Sequence, residues 1–179
     1  MHPDLEEILF TEEQLMKAIG DLGAELSRDY KDKNPLFVCV LKGAVMFMAD
    51  LVKRVDVPLE MDFMAISSYG ASSKSSGVVR ILKDLDRSVE GRDLVIVEDI
   101  VDTGLTLAYL KENLLHRRAN SVKVVTLFDK PEGRKVEIKP DYCGFRVPNA
   151  FIVGYGLDYA EHYRNLPFVG VLKRDIYAE

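Results

Sequence analysis

The run LFVCVL, residues 36–41, is apolar at every position. A strand with one wet face alternates apolar and polar side chains, whereas one that is apolar throughout is buried on both faces. Leu94–Val97 is a similar run, Val122–Phe128 is apolar except at Lys123 and Thr126, and an apolar stripe at helical spacing separates each of the first two runs from the next strand candidate. Phe47, Met48, Leu51, Val52 and Val55 form the stripe after the first run, and Leu107, Leu110 and Leu114 the stripe after the second. Further strands are predicted at 59–66, 78–82, 142–147, 151–153 and 168–172. Alternating strands and helices predict an α/β fold, with a mostly parallel central sheet covered on both faces by helices.

At the N-terminal side, Thr11-Glu12-Glu13-Gln14 has the form of a capping box, followed by Leu15, Ala18, Ile19, Leu22 and Leu26 at helical spacing. That helix is expected to end before Asn34-Pro35, because a residue preceding proline is pushed out of helical geometry. The stretch SSYGASSKSSG, 67–77, is small, polar and glycine-bearing, and predicts a surface loop at the tip of a two-stranded flap.

With 179 residues, the chain has the length of one domain with one sizeable core. Its net charge of -5 argues against a general nucleic-acid binder, which needs a basic face. No apolar run approaches the roughly 20 residues of a membrane-spanning helix. Cys39 and Cys143 share no metal-ligand spacing, and the N-terminus has no basic stretch followed by an apolar core. A cytoplasmic location is expected.

In parallel sheets, ligands bind beyond the carboxyl ends of the strands. There the sequence reads LVIVEDIVDTGLTL, 94–107. Glu98 and Asp99 are expected to close the strand, and Asp102-Thr103-Gly104-Leu105-Thr106 to lead into a helix running from about 104 to 117. Thr103 and Thr106 offer hydroxyls, Gly104 admits dihedrals closed to other residues, and the helix turns its free N–H groups toward the loop. Together these make a phosphate cradle without the lysine of the nucleotide-triphosphate loop. Paired acids accept hydrogen bonds from sugar hydroxyls or gather Mg²⁺. A sugar phosphate with a metal satisfies every group. An aspartic protease would need a second Asp-Thr-Gly. A receiver domain would carry its acid pair near the N-terminus rather than mid-chain. For Asp102, helix capping is a second reading.

VIVEDIVDTGLTL resembles the diphosphoribosyl-binding motif of type I phosphoribosyltransferases. LKG at 41–43, SSYG at 67–70, LFDKP at 127–131 and VPNAFIVGYGLDYAEHYRNLP at 147–167 extend the resemblance over nearly the whole chain, toward the short bacterial hypoxanthine branch. The resemblance implies a single domain, 1–179, with a small hood built from the N-terminal segment and about 140–179, and a flap at about 67–80. It implies transfer of the phosphoribosyl group of 5-phosphoribosyl 1-diphosphate to N9 of hypoxanthine or guanine, giving IMP or GMP and pyrophosphate, with Mg²⁺. Asp102 is then the general base. Glu98, Asp99, Asp102, Thr103, Gly104, Leu105 and Thr106 hold the ribose and its 5′-phosphate. Leu105 stands where some longer relatives carry lysine.

The same resemblance assigns Lys42, Gly43 and Arg164 to pyrophosphate, and in the family the peptide between Lys42 and Gly43 can be cis. It assigns Lys130, Phe151, Ile152 and Asp158 to the purine, Ser68 and Tyr69 to the flap, and Glu98, Asp99 and Asp158 to the metal. A homodimer or homotetramer is implied. A regulator that kept the fold and lost the reaction would lack Asp102 or Lys42-Gly43. A lysine donor at the purine 6-oxo group argues against adenine, and xanthine is left open.

Overall fold

The computed structural model describes residues 2–68 and 79–178. Its elements are β1 (Leu5–Phe10), α1 (Glu12–Asp29), β2 (Leu36–Leu41), α2 (Val45–Val52), β3 (Glu60–Ser68), β4 (Val79–Lys83) and β5 (Asp93–Val101). There follow α3 (Leu105–His116), β6 (Ser121–Asp129), a 3-10 turn (Pro131–Gly133), β7 (Tyr142–Arg146), β8 (Ile152–Val153), β9 (Val169–Leu172) and α4 (Arg174–Tyr177).

A six-stranded sheet has the order β4-β3-β2-β5-β6-β7. Five of its strands are parallel, and only β4 runs against its neighbour β3. The continuous apolar runs now have their explanation. Along β2, Phe37 and Cys39 face one core with Val95, Val97, Val125 and Leu127, under Leu15, Ile19, Leu22, Leu26, Phe47 and Leu51 of α1 and α2. Leu36, Val38 and Val40 face the other core with Leu94, Ile96, Val122 and Val124, under Leu107, Leu110 and Leu114 of α3. Side chains alternate faces along a strand, so a strand with helices on both sides needs an apolar residue at each step. Truncating a buried leucine such as Leu110 to alanine is expected to cost about 2–5 kcal/mol.

The capping box forms. The Thr11 hydroxyl accepts from the Gln14 N–H at 3.2 Å, and Gln14 Oε1 accepts from the Thr11 N–H at 2.9 Å. Helix α1 ends at Asp29, ahead of Asn34-Pro35 as expected, and α2 ends at Val52, earlier than the stripe reaching Val55 implies. The largest difference concerns β5. It runs to Val101 instead of ending near 98, because Glu98, Ile100 and Val101 still pair with Thr126, Phe128 and Asp129 of β6. The two acids therefore sit within a paired strand.

A small antiparallel sheet, β1-β9-β8, forms the hood. Leu5, Val153 and Leu172 bury its inner face, with Phe151, Tyr159, Phe168 and Tyr177 packed around them. Strand β1 and helix α4 carry no strong periodicity and went unpredicted. Their places come from partners far along the chain. Leu5 pairs with Leu172, and the Tyr163 hydroxyl donates to Asp4 at 2.7 Å. Strand β7 belongs to the large sheet, so the C-terminal contribution to the hood begins after the Pro148-Asn149 turn. Of the flap, Tyr69 and the loop to residue 78 lie outside the described residues, as does the side chain of Ser68.

Candidate active site

The carboxyl ends of β2 and β5 open into a cleft of about 340 Å³, closed on one side by the 154–164 segment. That size suits a small-molecule site. Gly43, Glu98, Asp99, Asp102, Thr103, Gly104, Thr106, Asp158 and Arg164 all line it. Residues separated by more than a hundred positions thus converge where the sheet topology places the strand ends. Lys42, Leu105, Lys130, Phe151 and Ile152 are not among the residues that line it.

The floor of the cleft is the start of α3. Gly104 is the N-cap with φ of 80°, a left-handed conformation that glycine adopts without penalty. No side chain caps the helix there, so Asp102 is not its cap. The Leu105 N–H leans on Thr103 Oγ1 at 3.3 Å, and the first bond along the helix is from the Ala108 N–H to the Gly104 carbonyl. The N–H groups of the first turn are thereby aimed at the cleft with the positive end of the helix behind them, an arrangement that binds anions.

Facing this floor are two acids in an unusual state. Glu98 is 8% exposed, and burial together with the neighbouring Asp99 charge pushes its carboxyl well above the ordinary range. Burial likewise raises Asp99 to about 6, against hydrogen bonds from backbone N–H groups, the Ile100 N–H at 2.7 Å among them. The Arg164 guanidinium also lowers it, while Asp158 raises it. Two adjacent buried carboxylates without a paired cation are costly, and a cation beside them would reverse both shifts.

The third wall is cationic. Lys42 Nζ lies 2.9 Å from Glu161 Oε2, and Arg164 Nη2 lies 3.2 Å from Glu161 Oε1. Arg164 Nη1 donates to the Gly156 carbonyl at 2.6 Å, and its buried Nε has no partner among the described residues. A Cβ at position 43 would overlap Asp99 Oδ2, so only glycine lets this backbone lie against the acid. The cis peptide in this loop joins Leu41 to Lys42, one bond earlier than the Lys42–Gly43 position expected.

Lys130 caps the start of the 3-10 turn after β6, its N–H donating to the Val101 carbonyl at 2.9 Å. The Phe151 ring stacks on Tyr177 at 4.7 Å and meets the edge of Tyr159 at 5.6 Å, so part of its surface packs within the hood. The Ile152 side chain is buried in the core at the base of the hood. Asp158 Oδ2 accepts from the Glu161 N–H at 2.9 Å. Sequence reasoning missed Glu161 and Arg134. Glu161 stands three residues before Arg164 in an acidic, tyrosine-rich stretch, and no local pattern distinguishes it from a solvated charge.

Comparison with known proteins agrees with this geometry. The family profile described as phosphoribosyl transferase domain matches residues 6–160. A hypoxanthine-guanine phosphoribosyltransferase of Bacillus subtilis is 60% identical over 177 residues, covering 99% of this chain and 98% of its own. One from Streptococcus thermophilus is 58% identical with the same coverage. Among solved structures, a hypoxanthine phosphoribosyltransferase from Staphylococcus aureus superposes with a TM-score of 0.97 at 49% identity, covering 100% of this chain and 97% of that one. A Trypanosoma cruzi hypoxanthine phosphoribosyltransferase, studied for the role of its C-terminal region in oligomeric state and activity, gives 0.94 at 43% identity, covering 99% of this chain and 96% of that one. With its parallel sheet, hood and cleft at the strand ends, the chain belongs to the phosphoribosyltransferase family and has the type I fold.

Proposed function

We propose that the chain transfers the 5-phosphoribosyl group of 5-phosphoribosyl 1-diphosphate to N9 of hypoxanthine and guanine, releasing pyrophosphate and giving IMP and GMP. The observation that carries this reading is the shared cleft in which the uncapped start of α3 at Gly104 faces Glu98 and Asp99. One pole is made for a phosphate and the other for a polyhydroxylated sugar. Identity near 60% over the full chain to a hypoxanthine-guanine enzyme supports the same substrates.

In this reading the 5′-phosphate sits on the N–H groups and hydroxyls of Thr103 to Thr106, and the ribose hydroxyls donate to Glu98 and Asp99. Lys42 and Arg164 draw the diphosphate from the opposite side. Asp102, exposed at the cleft, takes the proton from N7 of the purine as N9 attacks C1 and the bond from C1 to the diphosphate oxygen breaks. Positioned base catalysis is worth roughly 10²–10⁴ in rate. Lys130 donates to the 6-oxo group, Phe151 stacks on the base, Ile152 offers its backbone and Asp158 lies near the 2-position. Ser68 and Tyr69 belong to the flap that excludes water from an oxocarbenium-like ribose.

The donor set also fits Mg²⁺. Glu98, Asp99 and Asp158 are hard oxygen ligands, and burial holds the carboxyls of Glu98 and Asp99 above their ordinary range, a shift that a bound cation would reverse. Among the described residues no cluster of three such side chains forms a cage. That suits an ion that takes one or two carboxylates and completes its shell with water and substrate oxygens. When bound, the ion would neutralise negative charge on the leaving diphosphate. Among the described residues no helix is long and apolar enough to cross a membrane, and a cytoplasmic homodimer or homotetramer is part of the same proposal.

Pyrophosphate release is to be followed with 5-phosphoribosyl 1-diphosphate, Mg²⁺ and each of hypoxanthine, guanine, xanthine and adenine. Release is expected with hypoxanthine and guanine. No release with any base, or release with adenine alone, overturns the assignment.

A further inference from the structure

The segment after β6 reads DKPEGRKVEIKP, 129–140, and carries a buried arginine that the reaction outlined above does not use. The Arg134 side chain is 15% exposed, and every nitrogen of its guanidinium is committed. Nε donates to the Ile138 carbonyl at 2.9 Å. Nη1 donates to the Val101 carbonyl at 3.1 Å and the Asp102 carbonyl at 3.0 Å. Nη2 pairs with Asp129 Oδ1 at 2.5 Å.

These partners are not scattered. Val101 ends β5, Asp102 follows it at the head of the phosphate loop, and Asp129 immediately precedes Lys130. Two backbone bonds run in parallel with the guanidinium. The Lys130 N–H donates to the Val101 carbonyl and the Lys135 N–H to the Thr103 carbonyl, both at 2.9 Å. The carbonyls of residues 101 to 103, which would be orphaned where the strand ends, are all taken by residues 130 to 135. The contact continues in the side chains. The Asp102 carboxylate lies where a Cβ on residue 133 would stand, and that residue is glycine. On the far side, Arg134 Cδ, Val136 and Ile138 press on Gly104.

A planar, forked cation is the group that can satisfy several carbonyls and a carboxylate in one plane, and an ammonium cannot replace it. We infer that Arg134 is a positioning residue for phosphoribosyl transfer: it locks the Asp102 peptide to Asp129, so that the proton-taking carboxylate and the Lys130 end of the purine pocket hold one fixed geometry. Arg134 is not among the residues lining the cleft and acts through Asp102 and Asp129. The inference rests on the proposed reaction, in which Asp102 takes the purine proton.

The test is Arg134→Lys, which keeps a positive charge opposite buried Asp129 but cannot span four partners. The variant is expected to fold with a cooperative thermal transition. Its kcat is expected to fall about a hundredfold, the size of effect a misplacement of roughly 1 Å produces. KM for 5-phosphoribosyl diphosphate and for hypoxanthine should stay within about threefold, because loss confined to kcat marks an interaction felt in the transition state. In Arg134→Ala, added guanidinium should restore part of kcat, whereas an equal concentration of tetramethylammonium should not. A near-normal kcat in Arg134→Lys, a matching rise in both KM values, or failure of that variant to fold would each overturn the positioning role. An inactive wild-type protein in the same assay would instead defeat the transferase reading itself.

Discussion

Glu161 holds the Lys42 ammonium at 2.9 Å across 119 residues of chain, and its other oxygen holds Arg164 at 3.2 Å. An anion thus already occupies the two cations assigned to the diphosphate. The Lys42 and Arg164 hydrogen bonds also hold the Glu161 carboxyl below the usual range. The Lys42 and Glu161 side chains are 68% and 62% exposed, so the pair is weak and screened by salt. Diphosphate is expected to displace the carboxylate on binding. Glu161→Gln should therefore bind pyrophosphate more tightly, by roughly two- to fivefold at low salt, with the gain shrinking as salt rises. Product-inhibition constants measured at two ionic strengths check this, and weaker pyrophosphate binding in the variant would contradict it.

Asp102 differs in kind from its neighbours Glu98 and Asp99, since it is exposed where they are enclosed. Asp102→Asn keeps the size and the backbone carbonyl that accepts from Arg134. It removes only the capacity to take a proton. Turnover is expected to fall by about 10²–10⁴. KM for 5-phosphoribosyl diphosphate should change little, because the cradle of Thr103 to Thr106 is untouched. Steady-state kinetics with hypoxanthine separate the two quantities, and equal losses in both would remove the base assignment.

How much of this could be read from the chain depended on how local each signal was. Both faces of β2 are declared within LFVCVL, and the capping box of α1 within four residues, so both are legible from sequence. The end of β5 is not. Glu98 and Asp99 look like the polar close of a strand, and only pairing with Thr126 and Phe128 carries β5 on to Val101. Strand β1 is legible only through Leu172, and Glu161 only through Lys42. Arg134 stands in a charged, glycine-bearing stretch, and its role depends on carbonyls contributed from more than thirty residues earlier. The cradle at Gly104 is legible because glycine, two threonines and a following helix declare it together. The residues proposed for the purine are harder to read. Phe151 has the composition of a core residue, and part of it packs as one, against Tyr177.

The acid pair carries a pH dependence. Asp99 is raised from its ordinary value to about 6, by burial above all, and Glu98 is raised for the same reason and by Asp99. A carboxyl raised in the folded state binds more protons there than in the unfolded chain. Its contribution to stability is therefore fully present below the unfolded value near 4 and is lost as pH rises through about 6. The metal-free protein should lose thermal stability on going from about pH 5 to pH 7 through these groups. Mg²⁺ competes with the same protons, so its stabilising effect should grow over that interval. Thermal melts with and without Mg²⁺ at each pH check both statements, and a chelator should abolish transfer. A metal effect that is flat with pH, or full transfer under chelation, would count against the acid pair as the metal site.

Lys130 is placed by its backbone rather than by its charge. Its N–H is tied to Val101, and Asp129 beside it is tied to Arg134, so the direction in which the side chain leaves the sheet is set before any ligand arrives. A 6-oxo purine accepts a hydrogen bond from an ammonium, and the 6-amino group of adenine cannot. Lys130→Ala should lower kcat/KM for hypoxanthine by roughly ten- to a hundredfold, the worth of one charge-assisted hydrogen bond. It should leave the poor use of adenine unchanged or slightly improved, so that the ratio of the two narrows. Competition between hypoxanthine and adenine at fixed 5-phosphoribosyl diphosphate measures that ratio directly. An unaltered ratio would move the selection of 6-oxo purines to another group, with the backbone around Ile152 as the next candidate to test.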